Sequence, residues 1–405
     1  MSAPPRQELS ARLLDLARSR RSQYLDDLRE LVSIDSGSYD AEGVNRVADW
    51  VQRRLHRTGF TVERVTLPTS HGHRAGDALV ARKKGTLGAS DGGRRVLLAG
   101  HMDTVFDQGT AAARPFSLHG SIAHGPGVSD DKGGLLAGLT ALEILDEHGI
   151  TAYDELIFLA TPDEEIGSPA SRPLIERTAR GVDYGLGLEC ARENGDLVIG
   201  RKGVADFRIT VTGRAAHAGI EPERGANAAL AAAHLIVDLQ ALNGRWDDVT
   251  VNVGAVRAGS RTNIVCPEAE LRLEVRAATT ADVERVRLAI QEAADHPAVT
   301  GTTITVEQLD LCPPMEVTSA SRHMLDLARQ AALRVGVTLD AATTGGVGDA
   351  NLIAGTGVPT LDGLGPVGGA DHTPQEWLDT TSVPHRIAVL AALVAALGNA
   401  GNTAI

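Results

Sequence analysis

The chain has 405 residues, enough for two or three domains and a substantial core. Its 43% hydrophobic and 22% charged residues are ordinary globular proportions and exclude disorder of the whole chain. Lysine and arginine total 39 against 52 aspartates and glutamates, and the net charge of −13 argues against a general nucleic-acid or acidic-membrane surface.

Tyr24, Leu25, Leu28, Leu31 and Val32 recur at helical spacing, as do Val44, Val47, Val51 and Leu55 before Gly59. Residues 61–67 and 94–99 read as strands, the second central because its run is largely apolar. Residues 84–93 form a glycine-rich exposed loop, 135–145 predict a helix and 155–160 another buried strand. Strand and helix therefore alternate as in an α/β layer structure. From residue 205 the texture changes: strands are predicted at 206–212, 248–256, 270–276 and 302–309, with helices at 226–242 and 280–294. These compose a compact α+β insert. Cys312-Pro313-Pro314 reads as a hinge, after which 325–335, 358–363 and 383–397 resume the helix–strand pattern. The expected organisation is a catalytic domain in two segments, 1–204 and 314–405, interrupted by a smaller domain at 205–313.

Cys190, Cys266 and Cys312 lack CxxC spacing and are odd in number, so they imply a reducing compartment rather than a disulfide framework. The stretch Met1 to Arg20 has no uninterrupted signal-peptide core, and no window approaches the ~20 apolar residues of a membrane helix. A cytoplasmic chain that binds neither nucleic acid nor membrane is expected.

Acidic and histidine residues stand at the ends of the apolar strands. Val96-Leu97-Leu98-Ala99-Gly100 runs into His101-Met102-Asp103. Ligands of open α/β sheets sit beyond the carboxyl ends of the strands, and a metal-binding imidazole needs an acceptor for its second nitrogen, which Asp103 can supply. A polar turn is the plain alternative. Asp130-Asp131-Lys132 lies in a glycine-rich loop before a helix; an N-capping aspartate accounts for one carboxylate, whereas a divalent ion would account for the adjacent pair. Asp163-Glu164-Glu165 follows the buried strand at 155–160. It is either a solvated acidic turn or a site where one glutamate binds metal while its neighbour handles a proton. The strand at 184–188 ends in Glu189, and Asp371-His372 lies in a glycine-rich loop. Together these supply the mixed oxygen and nitrogen donors that two zinc ions sharing a carboxylate would need, with a position left for water. His56, His148, His234, His296, His323 and His385 fall on predicted helices or their ends and read as structural or solvated; His71, His73, His119 and His124 carry no assignment.

The series HMDTV, GPGVSDDKGG, TPDEE, GLGLEC, AAHAG and ADHTPQEW resembles, in order and over nearly the whole chain, the motifs of the di-zinc aminoacylase and glutamate carboxypeptidase family of metallopeptidases. GPGVSDDKGG, HAGIEPERGANA and TGGVGDAN are most similar to its carboxypeptidase G branch. The resemblance implies an α/β fold with a zinc-peptidase-like three-layer catalytic domain and an inserted smaller α+β lid domain that dimerises, hence a homodimer. It implies that His101, Asp130 and Glu189 bind one zinc while Asp130, Glu165 and His372 bind the other, with cobalt or manganese as alternative metals. Asp103 would orient His101, Glu164 would be the general base, and the Asp130–Asp131 peptide would be cis.

By the same resemblance His217 would stabilise the oxyanion, from the partner subunit in a dimer; otherwise it is a solvated loop histidine. Arg276 and Asn263 would hold an α-carboxylate, with backbone donors near Gly345 to Gly348 completing the pocket; the alternative for Arg276 is a pairing with a strand-face glutamate. The implied activity is hydrolysis of an amide in a small peptide or N-acyl amino acid, releasing a C-terminal amino acid such as glutamate. The rival is an N-acyl-amino-acid deacylase of the acetylornithine or succinyl-diaminopimelate type. A third reading is a non-catalytic metal-dependent binding protein, against which the intact Glu164 argues. The chain departs from the carboxypeptidase G pattern at Leu197, where that pattern has a lysine, and Lys202 is the nearest substitute.

Overall fold

The computed structural model describes residues 6–399 apart from His71; Met1–Pro5 of the N-terminal stretch, and His71, lie outside the described residues. The chain divides into two units by contact, one made of Met1–Ile199, Val317–Thr343 and Gly348–Ile405, the other of Gly200–Glu316 with Thr344–Val347. These limits fall slightly outside the 205 and 313 suggested by sequence texture. The first strand already starts at Gly203, and the last, Thr303–Cys312, takes in the first residue of the expected hinge.

In the larger unit the apolar runs Glu155–Thr161, Arg95–His101, Tyr184–Gly187 and Thr360–Leu361 lie side by side in that order, all parallel. The antiparallel pair Thr61–Val65 and Ala78–Lys84 extends the sheet beyond Glu155–Thr161. Ala78–Lys84 has no counterpart among the predicted strands, because its second half is Arg82-Lys83-Lys84 and breaks the apolar run.

Both faces of this sheet are covered, which is why its central strands are apolar throughout rather than alternating. Val96, Leu98, Phe158 and Leu186 point into one core shared with the helices Arg6–Val32, Ala41–Arg57, Lys132–Glu147, Ser319–Arg334 and Val383–Leu397. Leu97 and Ile157, on the opposite pleat, are equally buried but belong to the other face. The helix Asp349–Gly355 packs there, next to Arg172–Ala179. Gly185 permits its approach, since a Cβ at that position would stand 2.8 Å from Ile353 Cγ2. The result is a helix–sheet–helix stack, the α/β layering expected from the sequence. The first helix starts well before the Tyr24–Val32 periodicity; Leu13 and Ala17, one turn apart, are buried in the same core.

Four short strands, in the order Gly368–Gly369, Trp377–Asp379, Ile122–His124 and Ser117–His119, form a small antiparallel sheet. It joins the loop after residue 124 to the segment between residues 369 and 377.

The smaller unit is an antiparallel sheet in the order Thr250–Ala258, Glu268–Ala277, Gly203–Thr212, Thr303–Cys312. Alternate residues Ala205, Phe207, Ile209 and Val211, with Leu271, Leu273 and Val275, bury one face beneath the helices Ala228–Gln240 and Thr280–Asp295. The other face carries the ion pairs of Arg208 with Glu270 and Glu307. Both helices are capped by the preceding residue: Asn227 accepts the Leu230 N–H and Thr279 the Asp282 N–H. Among the described residues no helix is long and apolar enough to cross a membrane.

Candidate metal centre

Parallel register aligns His101 with Thr161, and Ala99 with Gly187. Asp103, Asp163-Glu164-Glu165 and Glu189 therefore emerge together from the carboxyl ends of three neighbouring strands, the usual ligand edge of such sheets. Asp130 arrives from the loop before the helix Lys132–Glu147, and His372 from the segment that the small sheet holds beside that loop. His372 itself has φ 63, a left-handed conformation that costs a non-glycine residue free energy.

Asp130 stands between the two imidazoles. His101 Nε2 is 2.9 Å from Asp130 Oδ1 and 3.6 Å from Glu189 Oε1. His372 Nε2 is 3.1 Å from Asp130 Oδ2 and 2.9 Å from Glu165 Oε2. The second nitrogen of His101 faces Asp103, 3.1 Å from its carbonyl oxygen and 3.3 Å from Oδ1. Asp103 also accepts the N–H groups of Glu164 and Glu165, at 3.1 and 3.2 Å, and the Ser38 hydroxyl at 2.7 Å. Donor atoms of His101, Asp130 and Glu165, and separately of His101, Glu164 and Glu189, lie within 4.8 Å of one another.

The peptide joining Asp130 to Asp131 is cis, in agreement with the resemblance. Asp131 precedes the helix Lys132–Glu147 but makes no capping hydrogen bond; its Oδ2 accepts the His101 N–H at 3.2 Å. The adjacent aspartates thus do different work, one toward the imidazoles and one toward the strand end.

Crowding shifts the ionisation of several of these groups. Burial pushes the carboxyls of Glu164 and Glu189 well up, and neighbouring carboxylates push them further; burial also raises Glu165. Asp130 is held low against its burial by the hydrogen bonds of His101 and His372. His372 is pushed up to about 11 by Asp130 and Glu165, and His101 is raised well above its usual value by Asp103 and Asp130 although burial opposes it. The carboxylates thus crowd one another around the two imidazoles, a setting that favours positive charge. Divalent ions would supply the missing charge, and the donors are those such ions accept, so the residues fit a metal centre.

Two buried carboxyls escaped the sequence reading. Glu376, 1% exposed, accepts the backbone N–H groups of Gly127, Ser129 and Asp130 at 2.8, 2.8 and 3.0 Å, which fixes the loop that presents Asp130. Burial raises it to about 7 despite those three donors. Its only sequence signal was its place in ADHTPQEW, and no local spacing links it to a loop so far back in the chain. Asp349 accepts the hydroxyls of Thr161 and Ser168 on either side of the EE pair.

The remaining candidates belong to the smaller unit or its borders. His217 is exposed, and its Nδ1 accepts the Gly219 N–H at 3.2 Å. Asn263 lies on the loop paired with it, through the Ala218 N–H on the Asn263 carbonyl at 3.0 Å. Arg276 makes a forked pair with Glu274, at 2.7 and 3.1 Å, and donates to the Gly345 carbonyl at 2.7 Å. The strand-face pairing offered as its alternative is therefore present. Gly348, in the larger unit, precedes the helix Asp349–Gly355 and directs its N–H to Asn351 Oδ1 at 3.0 Å. Leu197 is buried, and Lys202 lies 3.8 Å from the Asp248 carboxylate.

A family model described as peptidase family M20/M25/M40 matches residues 97–396. Carboxypeptidase G2 of Pseudomonas sp. (strain RS-16) is 32% identical over 389 residues, which cover 95% of this chain and 92% of that protein. Acetylornithine deacetylase of Proteus mirabilis (strain HI4320) is 30% identical over 248 residues, 58% of this chain and 59% of the relative. Among solved structures, aminopeptidase PepT from Bacillus cereus ATCC 10987 superposes with a TM-score of 0.76 at 25% identity, covering 93% of this chain and 98% of that one.

Proposed function

The chain belongs to peptidase family M20/M25/M40, and from that premise we propose that it hydrolyses the amide bond of a small peptide or N-acyl amino acid and releases the C-terminal amino acid, glutamate foremost. The observation that carries this reading is Asp130 with one imidazole on each carboxylate oxygen. On this reading His101, Asp130 and Glu189 hold one zinc ion and Asp130, Glu165 and His372 a second. Bound there, such ions would polarise the scissile carbonyl and make a water acidic enough to attack it near neutral pH.

The chain's own groups do the rest. Asp103 holds the His101 imidazole in one orientation through Nδ1 and anchors the backbone of the EE pair. Glu164 takes a proton from the attacking water and delivers it to the leaving nitrogen, a task suited to a half-buried carboxyl whose donor atom lies within 4.8 Å of those of His101 and Glu189. His217 is the proposed donor to the developing oxyanion, contributed across a homodimer, and interactions of that kind are worth a few kcal/mol. Asn263, Arg276 and the backbone near Gly348 are the proposed α-carboxylate contacts. The free cysteines support a cytoplasmic location.

An N-acyl-amino-acid deacylase is the second reading. It draws support from the likeness to acetylornithine deacetylase and from Arg276, whose guanidinium already has partners in Glu274 and Gly345. With both glutamates of the pair in place, the non-catalytic reading has no observation in its favour. The test is amine release from C-terminally varied dipeptides and N-acyl amino acids by zinc-loaded protein, with Glu164→Ala as control. Amino acid release from dipeptides, abolished in the control, supports the carboxypeptidase. Turnover restricted to small acyl groups would replace it with the deacylase.

A further inference from the structure

Beside Glu165, the larger unit contains a cavity of about 410 Å³, within the range of small-ligand pockets. Tyr39, Val105, Phe106 and Ile166 give it apolar surface beside the polar Ser38, Thr104 and Gln108, and Asp107 adds an exposed carboxylate. Among the described residues that line it there is no lysine, arginine or histidine, and Gly348 is not one of them.

The walls are built, not draped. The Ser38 N–H donates to the Thr104 carbonyl at 3.2 Å and the Thr104 N–H to the Ser36 carbonyl at 2.9 Å, which clamps the two lining segments together. Gly37 is required at that clamp, because a Cβ would come within 2.5 Å of the Phe106 carbonyl oxygen. The Asp35 carboxylate accepts the N–H groups of Gly109 and Ala111, both at 2.8 Å, and so fixes the turn that follows Asp107.

We infer that this cavity receives the acyl side of the scissile amide, the part of the substrate that is not released as the C-terminal amino acid, and selects an apolar group without negative charge. The inference rests on the amide hydrolysis proposed above. Glu165 joins the cavity to the candidate metal centre, so a carbonyl presented there leaves its acyl substituent facing these walls. An apolar substituent gains by covering the Tyr39 and Phe106 rings. A carboxylate in the same place loses water and meets Asp107, while the guanidinium of Arg114, 4.5 Å over the Phe106 ring, is engaged by that ring and by the Thr373 carbonyl.

The test compares N-butyryl and N-succinyl derivatives of one amino acid, chosen as the best-released residue. The two acyl chains have the same length and differ by the terminal carboxylate. For the zinc-loaded wild type, kcat/KM should favour the butyryl compound at least tenfold. Asp107→Lys should shrink that ratio roughly three- to tenfold, the scale of one charge acting across a partly solvated gap. Asp91→Lys makes the same charge change on an exposed turn before the strand Arg95–His101, away from its site-bearing end, and should leave the ratio alone. A ratio cancels differences in folding and metal loading between variants. Turnover with equal preference, or a ratio moved equally by both lysine variants, overturns this inference while leaving the hydrolase reading intact. Absence of turnover on every amide overturns both.

Discussion

The Asp103 carboxylate accepts the backbone N–H of Glu164 at 3.1 Å, so the strand that delivers His101 and the turn that delivers the EE pair share one anchor. The same carboxylate also takes the Glu165 N–H and the Ser38 hydroxyl. Buried donors deprived of such an acceptor cost about 1–3 kcal/mol each. Asp103→Ala is therefore expected to lower metal affinity by about 10- to 100-fold and to reduce kcat even at saturating zinc, because both Glu164 and His101 lose their fixed orientation. Metal titration alongside kinetics checks it. Wild-type kcat restored simply by adding zinc would mean that Asp103 affects loading alone.

Glu376 predicts a different pattern, since it reaches the site only through backbone. Its Oε1 accepts from Ser129 and Asp130 and its Oε2 from Gly127. Glu376→Gln can keep the Oε1 pair while facing Gly127 with an amide donor, whereas Glu376→Ala strands all three N–H groups. Denaturant unfolding of metal-free protein should show the alanine variant destabilised by about 3 kcal/mol or more and the glutamine variant by about half of that. Equal losses would argue that the cavity, not the hydrogen bonds, dominates.

The sequence displayed the fold unevenly, for physical reasons. Central strands and the candidate ligands beside them were legible because burial on both faces makes an apolar run, and a charged residue right after such a run has little reason to be there unless it works. Ala78–Lys84 was hidden because Arg82, Lys83 and Lys84 make ion pairs with Asp146, Asp154 and Glu155 at the strand's exposed end. Glu376 was hidden because its partners are distant in sequence. Gly134 could be quoted as part of a motif but not explained. The structure supplies the reason: a Cβ there would sit 1.8 Å from the Leu188 carbonyl, at the residue before Glu189.

Metal stoichiometry is the direct check on the double role of Asp130. If each imidazole marks one ion, zinc-loaded wild type should contain two ions per chain. His372→Ala should then retain about one and lose activity, because His101, Asp130 and Glu189 remain together. Added zinc should raise the wild-type Tm, since the folded state alone gathers these donors. Chelation should remove that gain. A His372→Ala protein that still holds two ions would dissociate this residue from the centre.

Asp349 carries the pH prediction. Burial pushes its carboxyl up to about 6, against the opposing hydrogen bonds of Ser168 and Thr161. In an unfolded chain the group ionises near pH ~4. Between those values the folded state holds the extra proton, so this group's contribution to stability is full below pH ~4, falls as pH rises and is lost above about 6. Asp349→Asn has no such titration. Relative to that variant, wild-type stability should fall by about 2–3 kcal/mol from pH ~4 to ~6 and then stay level. Urea midpoints measured in parallel across that range test the sign; a constant difference would show that Asp349 ionises normally in the fold.

The smaller unit predicts self-association from its own surface. Thr250–Ala258 is an edge strand with most of its residues exposed, Val256 among them. On the helix Ala228–Gln240, Leu230 and Val237 point outward, the latter 68% exposed, and Ile220 in the loop after His217 is 76% exposed. An unpaired strand edge flanked by outward aliphatic side chains is a template for pairing with another chain, and in a two-fold arrangement the same edge serves both copies. Sedimentation should therefore find a dimer at micromolar concentration. Val256→Lys combined with Val237→Glu should shift it to monomer while leaving the fold intact, because neither side chain belongs to the core. If His217 acts in the partner's site, activity should fall with the dimer, and mixing His217→Ala with Glu164→Ala chains should restore part of it. A fully active monomer would return His217 to the role of an ordinary loop residue.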